Sequence, residues 1–365
     1  MSTTPTLCGR LGDSNMTVQD DPRTLPVLAK LLRDLQLGGH NHTPLQDTSD
    51  IPALEPSIRK VHEGFSALYE NLPNELPEDQ DEAPIEPSEI MVENPDGHKI
   101  KVYVFRPKSF GNEPLPAICY IHGGGMTVLD TANKCHFRWC KSLALQGTAV
   151  FAIDFRNAWG SNGEHRPFPT GLNDCAAAVR YVAAHKAELG ISRVVVQGES
   201  GGGNLTLATA LKANQEGWID AIDGVYACVP VTDREARGRS REEKLQAFPS
   251  LVECEGYLLN LSGMVEQAAW YTPNESDQKS PLAWPDRATE KDLQGLPPHI
   301  ISVDELDPLR DEGIAYFRKL AAAGVQATAE VNLGITHGAS LIFRQALPEV
   351  HRKAIRQIVA FAKRL

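Results

Sequence analysis

Hydrophobic positions recur in two different rhythms along this chain, and the rhythm changes near residue 89. Upstream, apolar residues return at helical spacing over 25–37 and 56–72, and an acidic, proline-rich run follows over 73–87. No strand pattern occurs there, which predicts a helical N-terminal arm with an acidic linker over residues 1–85. From Glu89 strands and helices alternate. Residues 89–93 and 99–106 alternate apolar and polar positions around Asn94-Pro95-Asp96-Gly97, a hairpin signal. Short apolar runs follow at 117–121, 149–154, 193–197, 224–231, 299–303 and 327–332. Continuous β-branched runs such as Val194-Val195-Val196 read as strands covered on both faces, as a parallel sheet requires.

Helical patterns separate these runs at 134–145, 173–189, 202–215, 309–323 and 347–365, with Asn173 as an N-cap and Gly190 as a stop. The expected class is α/β: a mostly parallel eight-stranded sheet with right-handed crossovers, flanked by helices. The stretch 232–293, rich in charge, Trp and Pro, interrupts the alternation, and insertions of that length commonly form lids. The expected organisation is a core of 86–231 and 281–365, capped by the arm 1–85 and an insertion at 232–280.

Composition narrows the function. The 365 residues carry a formal net charge of −11 and no Lys/Arg cluster, which argues against a nucleic-acid partner. No apolar run approaches the roughly 20 residues needed to span a bilayer. The first sixteen residues show no secretory pattern, so the reading is a soluble, cytoplasmic protein. Seven cysteines (Cys8, Cys119, Cys135, Cys140, Cys175, Cys228, Cys254) lack a repeating spacing and read as structural thiols. Cys135, His136 and Cys140 have no second ligand pair at zinc spacing, so no metal is expected.

The chemistry concentrates at four places. Gly198-Glu199-Ser200-Gly201-Gly202 matches G-x-S-x-G between a β-rich run and a helical pattern, where a sharp turn exposes the serine as a nucleophile. His122-Gly123-Gly124-Gly125 closes another strand, and consecutive glycines can aim backbone N–H groups at an oxyanion. A serine nucleophile needs a base, and the order in this arrangement is Ser, then Asp or Glu, then His. Of the histidines after Ser200, His299 opens a strand and His351 lies in the last helix. His337 alone falls in a loop after the last strand. Among Asp304, Glu305, Asp307, Asp311 and Glu312, Asp307 best fits the loop beyond the strand, with Asp304 as the fallback. Leu11-Gly12-Asp13-Ser14-Asn15 imitates another esterase block but has no strand before it and no D-x-x-H pair downstream.

These segments, with Asp307-Pro308-Leu309-Arg310-Asp311-Glu312-Gly313 and Thr336-His337-Gly338, resemble the bacterial hormone-sensitive-lipase family of esterases over about 89–365. The resemblance implies an α/β-hydrolase fold with a helical cap, no cofactor, and a triad of Ser200, Asp307 and His337. It also implies an oxyanion hole from the N–H groups of Gly123, Gly124 and Gly201, and pairing into a homodimer. The family more often carries Asp-Ser-Ala where this chain has Glu199-Ser200-Gly201, and Glu199 is expected to tune the elbow. The expected function is a serine carboxylesterase acting on a small-molecule ester. A lactone- or amide-selective hydrolase is the alternative within the fold. A non-catalytic receptor is the alternative outside it, and the presence of His337 opposes that. Met126, Trp159, Phe248 and Tyr257, with Trp284, are candidates for an acyl pocket; each could equally pack cap on core.

Overall fold

The computed structural model describes residues 7–40, 43–82, 84–111 and 113–365. Part of the N-terminal segment tested for a secretory pattern therefore lies outside the described residues. Eight strands form one sheet: β1 (Ser88–Glu93), β2 (Lys99–Phe105), β3 (Leu115–Ile121), β4 (Ala149–Asp154), β5 (Ile191–Glu199), β6 (Gly224–Cys228), β7 (His299–Leu306) and β8 (Ala327–Thr336). Their spatial order is β1-β2-β4-β3-β5-β6-β7-β8. The hairpin β1–β2 and the β2–β4 pair are antiparallel, and every later pair is parallel. The mostly parallel sheet expected from the sequence is thus the sheet observed.

Helices of seven residues or more are numbered here. In the arm they are α1 (Pro26–Asp34) and α2 (Glu55–Asn71), and in the core α3 (Lys134–Leu145), α4 (Thr170–Ala184) and α5 (Gly201–Gln215). The insertion contributes α6 (Arg241–Ala247) and α7 (Leu261–Tyr271), and α8 (Arg310–Ala322) and α9 (Pro348–Arg364) complete the core. Helices α3 and α9 pack together on one face of the sheet, while α4, α5 and α8 cover the other. Val194, Val195 and Val196 are fully buried between them, which is why that run carries no polar alternation.

Several boundaries differ from the sequence reading, and two of them have a visible cause. Helix α4 starts at Thr170 rather than Asn173, because Asn173 N–H already makes the first intrahelical bond, to Pro169 O at 2.9 Å. Strand β6 stops at Cys228, since Val229 turns to φ +40° and its N–H goes to Ser302 O. Gly190 does end the helical segment, in the left-handed conformation at φ +61°.

The acidic linker is fastened to the core rather than free. Arg344 holds Asp79 at 2.5 and 2.6 Å, and Arg138 grips both oxygens of Glu82 at 2.7 Å. Burial pushes the Asp79 carboxyl up, but the Arg344 and Leu76 hydrogen bonds and the Arg138 charge outweigh it and hold the group down at about 2. The arm then reaches the insertion: α2 packs on α7, and Glu266 of α7 accepts Ser57 Oγ–H and, at 3.1 Å, Gln46 N–H. Among the described residues no helix is long and apolar enough to cross a membrane.

Candidate active site

The four chemical segments meet at the carboxyl ends of neighbouring strands: His122–Gly125 after β3, Ser200 after β5, Asp307 after β7 and His337 after β8. In open α/β sheets that rim is where ligands bind.

Ser200 joins β5 to α5 with φ +56° and ψ −120°, a conformation an L-residue adopts only when its surroundings hold it. The flanking glycines explain how. A Cβ on Gly198 would lie 2.5 Å from Ile121 O and Gly202 O, and one on Gly202 would lie 2.0 Å from Ile121 O. The elbow therefore presses against the end of β3, and only glycine permits it. Ser200 N–H is bonded to Cys228 O at 2.9 Å, which ties the elbow to β6 as well.

His337 Nδ1 lies 2.7 Å from Asp307 Oδ2, and Leu309 N–H donates to the other oxygen of Asp307 at 2.9 Å. A proton on Nδ1 shared with Asp307 leaves Nε2 as the basic nitrogen. Burial pushes the imidazole down, but the charge and hydrogen bond of Asp307, with the charge of Asp304, outweigh it and hold His337 above the usual 6.5. Ser200 and His337 border one cavity of about 60 Å³.

Glu199, the residue before the nucleophile, is buried and accepts Gly123 N–H at 2.7 Å and Tyr120 Oη–H at 2.9 Å. Burial raises its carboxyl to about 8 against those two hydrogen bonds. Gly123 N–H, expected as an oxyanion donor, thus already has a side-chain acceptor in Glu199. Among the described residues, no protein acceptor takes the N–H of Gly124 or Gly201. Gly124 sits at φ +111°, where a Cβ would be 2.1 Å from Val128 O. A Cβ on Gly201 would be 2.4 Å from Met126 N, so glycine in place of the more usual alanine matches the space available. His122 is an anchor for this loop: it stacks on Phe155 at 4.5 Å and burial pulls its imidazole down to about 4.

The acyl-pocket candidates do not border the Ser200 cavity. Met126 is buried at φ +60°, with its carbonyl on Ala158 N–H. Trp159 gives its indole N–H to Glu55 at 3.0 Å and packs on His62. Tyr257 donates to Asp21 at 3.0 Å, Phe248 packs against Leu251 and Leu261, and Trp284 donates to Thr272. Each of the five is engaged in packing or hydrogen bonding away from that cavity. The cavity is instead lined by Phe65 and Tyr69 of α2, Met264 and Gln267 of α7, and Leu341 and Ile342 beyond His337. Sequence reasoning missed these because ordinary amphipathic spacing on α2 and α7 does not say which apolar face meets the nucleophile.

Residues 118–341 match the family described as alpha/beta hydrolase fold. The chain belongs to that family. The α/β hydrolase is similar in structure to brefeldin A esterase, described as a bacterial homologue of human hormone sensitive lipase, with 44% identity, 98% of each chain covered and a TM-score of 0.94. The esterase Est22 with p-nitrophenol aligns at 36% identity over 95% of this chain and 99% of its own, with a TM-score of 0.82. Among curated proteins, Esterase LipI of Mycobacterium tuberculosis is 29% identical over 310 residues, 80% of this α/β hydrolase and 90% of the relative. Ethyl acetate hydrolase of Pseudomonas putida is 32% identical over 262 residues, 68% and 74% of the two chains.

Proposed function

We propose that this α/β hydrolase is a serine carboxylesterase acting on small carboxylic esters, with Ser200 as nucleophile, His337 as general base and Asp307 as its orienting acid. The observation that carries the reading is the 2.7 Å His337–Asp307 pair, whose His337 borders the same cavity as a serine on a glycine-permitted elbow. The three relatives are named as esterases or an ethyl acetate hydrolase, which supports the class of bond cleaved. Ser200 attacks the ester carbonyl as its proton passes to His337 Nε2, and Asp307 stabilises the imidazolium. The alcohol leaves with that proton, and water then releases the acid from the acyl-enzyme.

The N–H groups of Gly124 and Gly201 would receive the oxyanion, each donor being worth about 3–4 kcal/mol of barrier. Gly123 would act one step back, fixing the loop through Glu199. The residues at 1–85 and 232–280 read together as a cap, since α2 and α7 both contribute to the cavity. Because His337 must be neutral to accept the proton, kcat/KM should fall as pH drops through a value above 6.5. Pairing of two copies is read onto β8, the sheet edge, where Val331 and Leu333 are exposed.

The test is Ser200→Ala assayed on p-nitrophenyl esters of rising acyl length beside a lactone and an amide. Ester hydrolysis should fall by about 10³-fold or more with folding unchanged. Retention within tenfold would rule out Ser200 as the nucleophile, and preferential turnover of the amide would overturn the ester assignment.

A further inference from the structure

Two carboxyls lie against the His337 loop. Asp307 binds the imidazole, and Asp304, three residues earlier on β7, binds the backbone that follows it. Asp304 Oδ2 accepts Gly338 N–H at 3.0 Å, and Oδ1 accepts Asn332 Nδ2–H from β8 at 3.1 Å. The β7–β8 register shifts between Asp304 and Leu306, so the ladder cannot itself hold this stretch of β8. Side chains of β7 take over: Glu305 accepts Gly334 N–H at 2.7 Å, and Asp304 accepts the N–H beside His337. Asp304 is 2% exposed, a place where a carboxyl is retained only at a cost.

We propose that Asp304 is a positioning residue of the hydrolytic site, fixing the His337 loop through Gly338 and setting a second carboxyl charge beside the imidazole. This rests on reading Ser200, His337 and Asp307 as the triad.

The surroundings bear on its charge. Asp304 shares a cavity of about 20 Å³ with Glu199 of β5 and with Tyr226 and Cys228 of β6. Glu330 of β8 lies beyond Tyr226, bonded to its hydroxyl at 2.6 Å. Lys353 of α9 reaches Asn332 Oδ1 at 3.0 Å. Burial, then the charge of Asp307, raises the Asp304 carboxyl to about 7, with Asn332, His337 and Gly338 opposing. The charges of Asp304 and His337 are therefore coupled. An ionised Asp304 favours the imidazolium, so it keeps His337 protonated to higher pH; removing that charge frees the base at lower pH.

Two variants separate loop-holding from charge. Asp304→Asn keeps an acceptor oxygen of the same shape, and Asp304→Ala removes it. For Asp304→Asn, KM on p-nitrophenyl butyrate should stay within about twofold, and the acidic limb of kcat/KM should move down by about one pH unit. For Asp304→Ala, kcat should fall about tenfold or more with KM near wild type, and the asparagine variant should recover most of that loss. A merely structural Asp304 would not move the pH limb. A profile for Asp304→Asn that superposes on the wild type overturns the proposal, as does an Asp304→Ala enzyme with wild-type kcat. Should the alanine variant fail to fold, the asparagine profile decides alone. Ser200→Ala keeps the two readings apart: activity retained there breaks the triad, whereas an inactive Ser200→Ala beside an unshifted Asp304→Asn breaks only the role of Asp304.

Discussion

Glu199 occupies the variable position of the elbow and holds the neighbouring glycine loop by one short bond to Gly123. Its identity as an acid was legible in the sequence, and so was an electrostatic role. Which glycine it would engage was not, because that depends on how β3 and β5 sit side by side. The carboxyl, raised to about 8 by burial, binds a proton in the folded chain that an unfolded glutamate releases near its usual 4.5. Its contribution is therefore fully present below that value and is lost as pH rises through about 8. Glu199→Gln keeps the amide oxygen for Gly123 without the titration. Its melting temperature should gain on the wild type as pH rises from 5 to 9, by about 3 °C or more at the upper end. A constant difference across that range would show that Glu199 does not carry the buried charge.

At the scale of elements, α7 links the N-terminal arm to the cavity bordered by Ser200 and His337. Met264 and Gln267 border the cavity, while buried Glu266 binds Ser57 and Gln46 of the arm. Glu266→Ala should leave kcat within about twofold and raise KM by about three- to tenfold, with faster protease cleavage between 43 and 57. Unchanged KM and unchanged cleavage would mean the arm is held elsewhere. Arg344→Ala tests a second fastening, since it strips the linker carboxyl of Asp79 of its main partner. A stability loss of about 2 kcal/mol is expected in denaturant unfolding. Helix and strand positions were readable because burial imposes the pattern: a period of 3.6 on helices, alternation on the β1–β2 hairpin and unbroken apolar runs on strands covered on both faces. The pocket was not, because long-range packing chooses which of many apolar side chains line it. Trp159 and Tyr257 carry polar tips that found partners at Glu55 and Asp21, drawing both against the N-terminal arm.

For the whole molecule, chain order and sheet order together do the assembling. Ser200, Asp307 and His337 are far apart in sequence, yet they follow β5, β7 and β8 and so arrive at one rim. That order was visible beforehand, which is why motifs alone could nominate the three residues proposed as the triad. The second carboxyl at Asp304 could be named only as a fallback acid, because its bond to Gly338 depends on the irregular β7–β8 register. The same sheet leaves β8 as an edge with Leu333 71% exposed, and sedimentation should show a dimer that Leu333→Lys dissociates. A monomer in the wild type would remove that reading.

The most direct test of the account is covalent trapping. Incubation with a fluorophosphonate followed by peptide mapping should place one adduct per chain, on Ser200, with labelling slowed strongly in His337→Ala. An adduct on another residue, or labelling of His337→Ala at the wild-type rate, would contradict the proposed nucleophile and base.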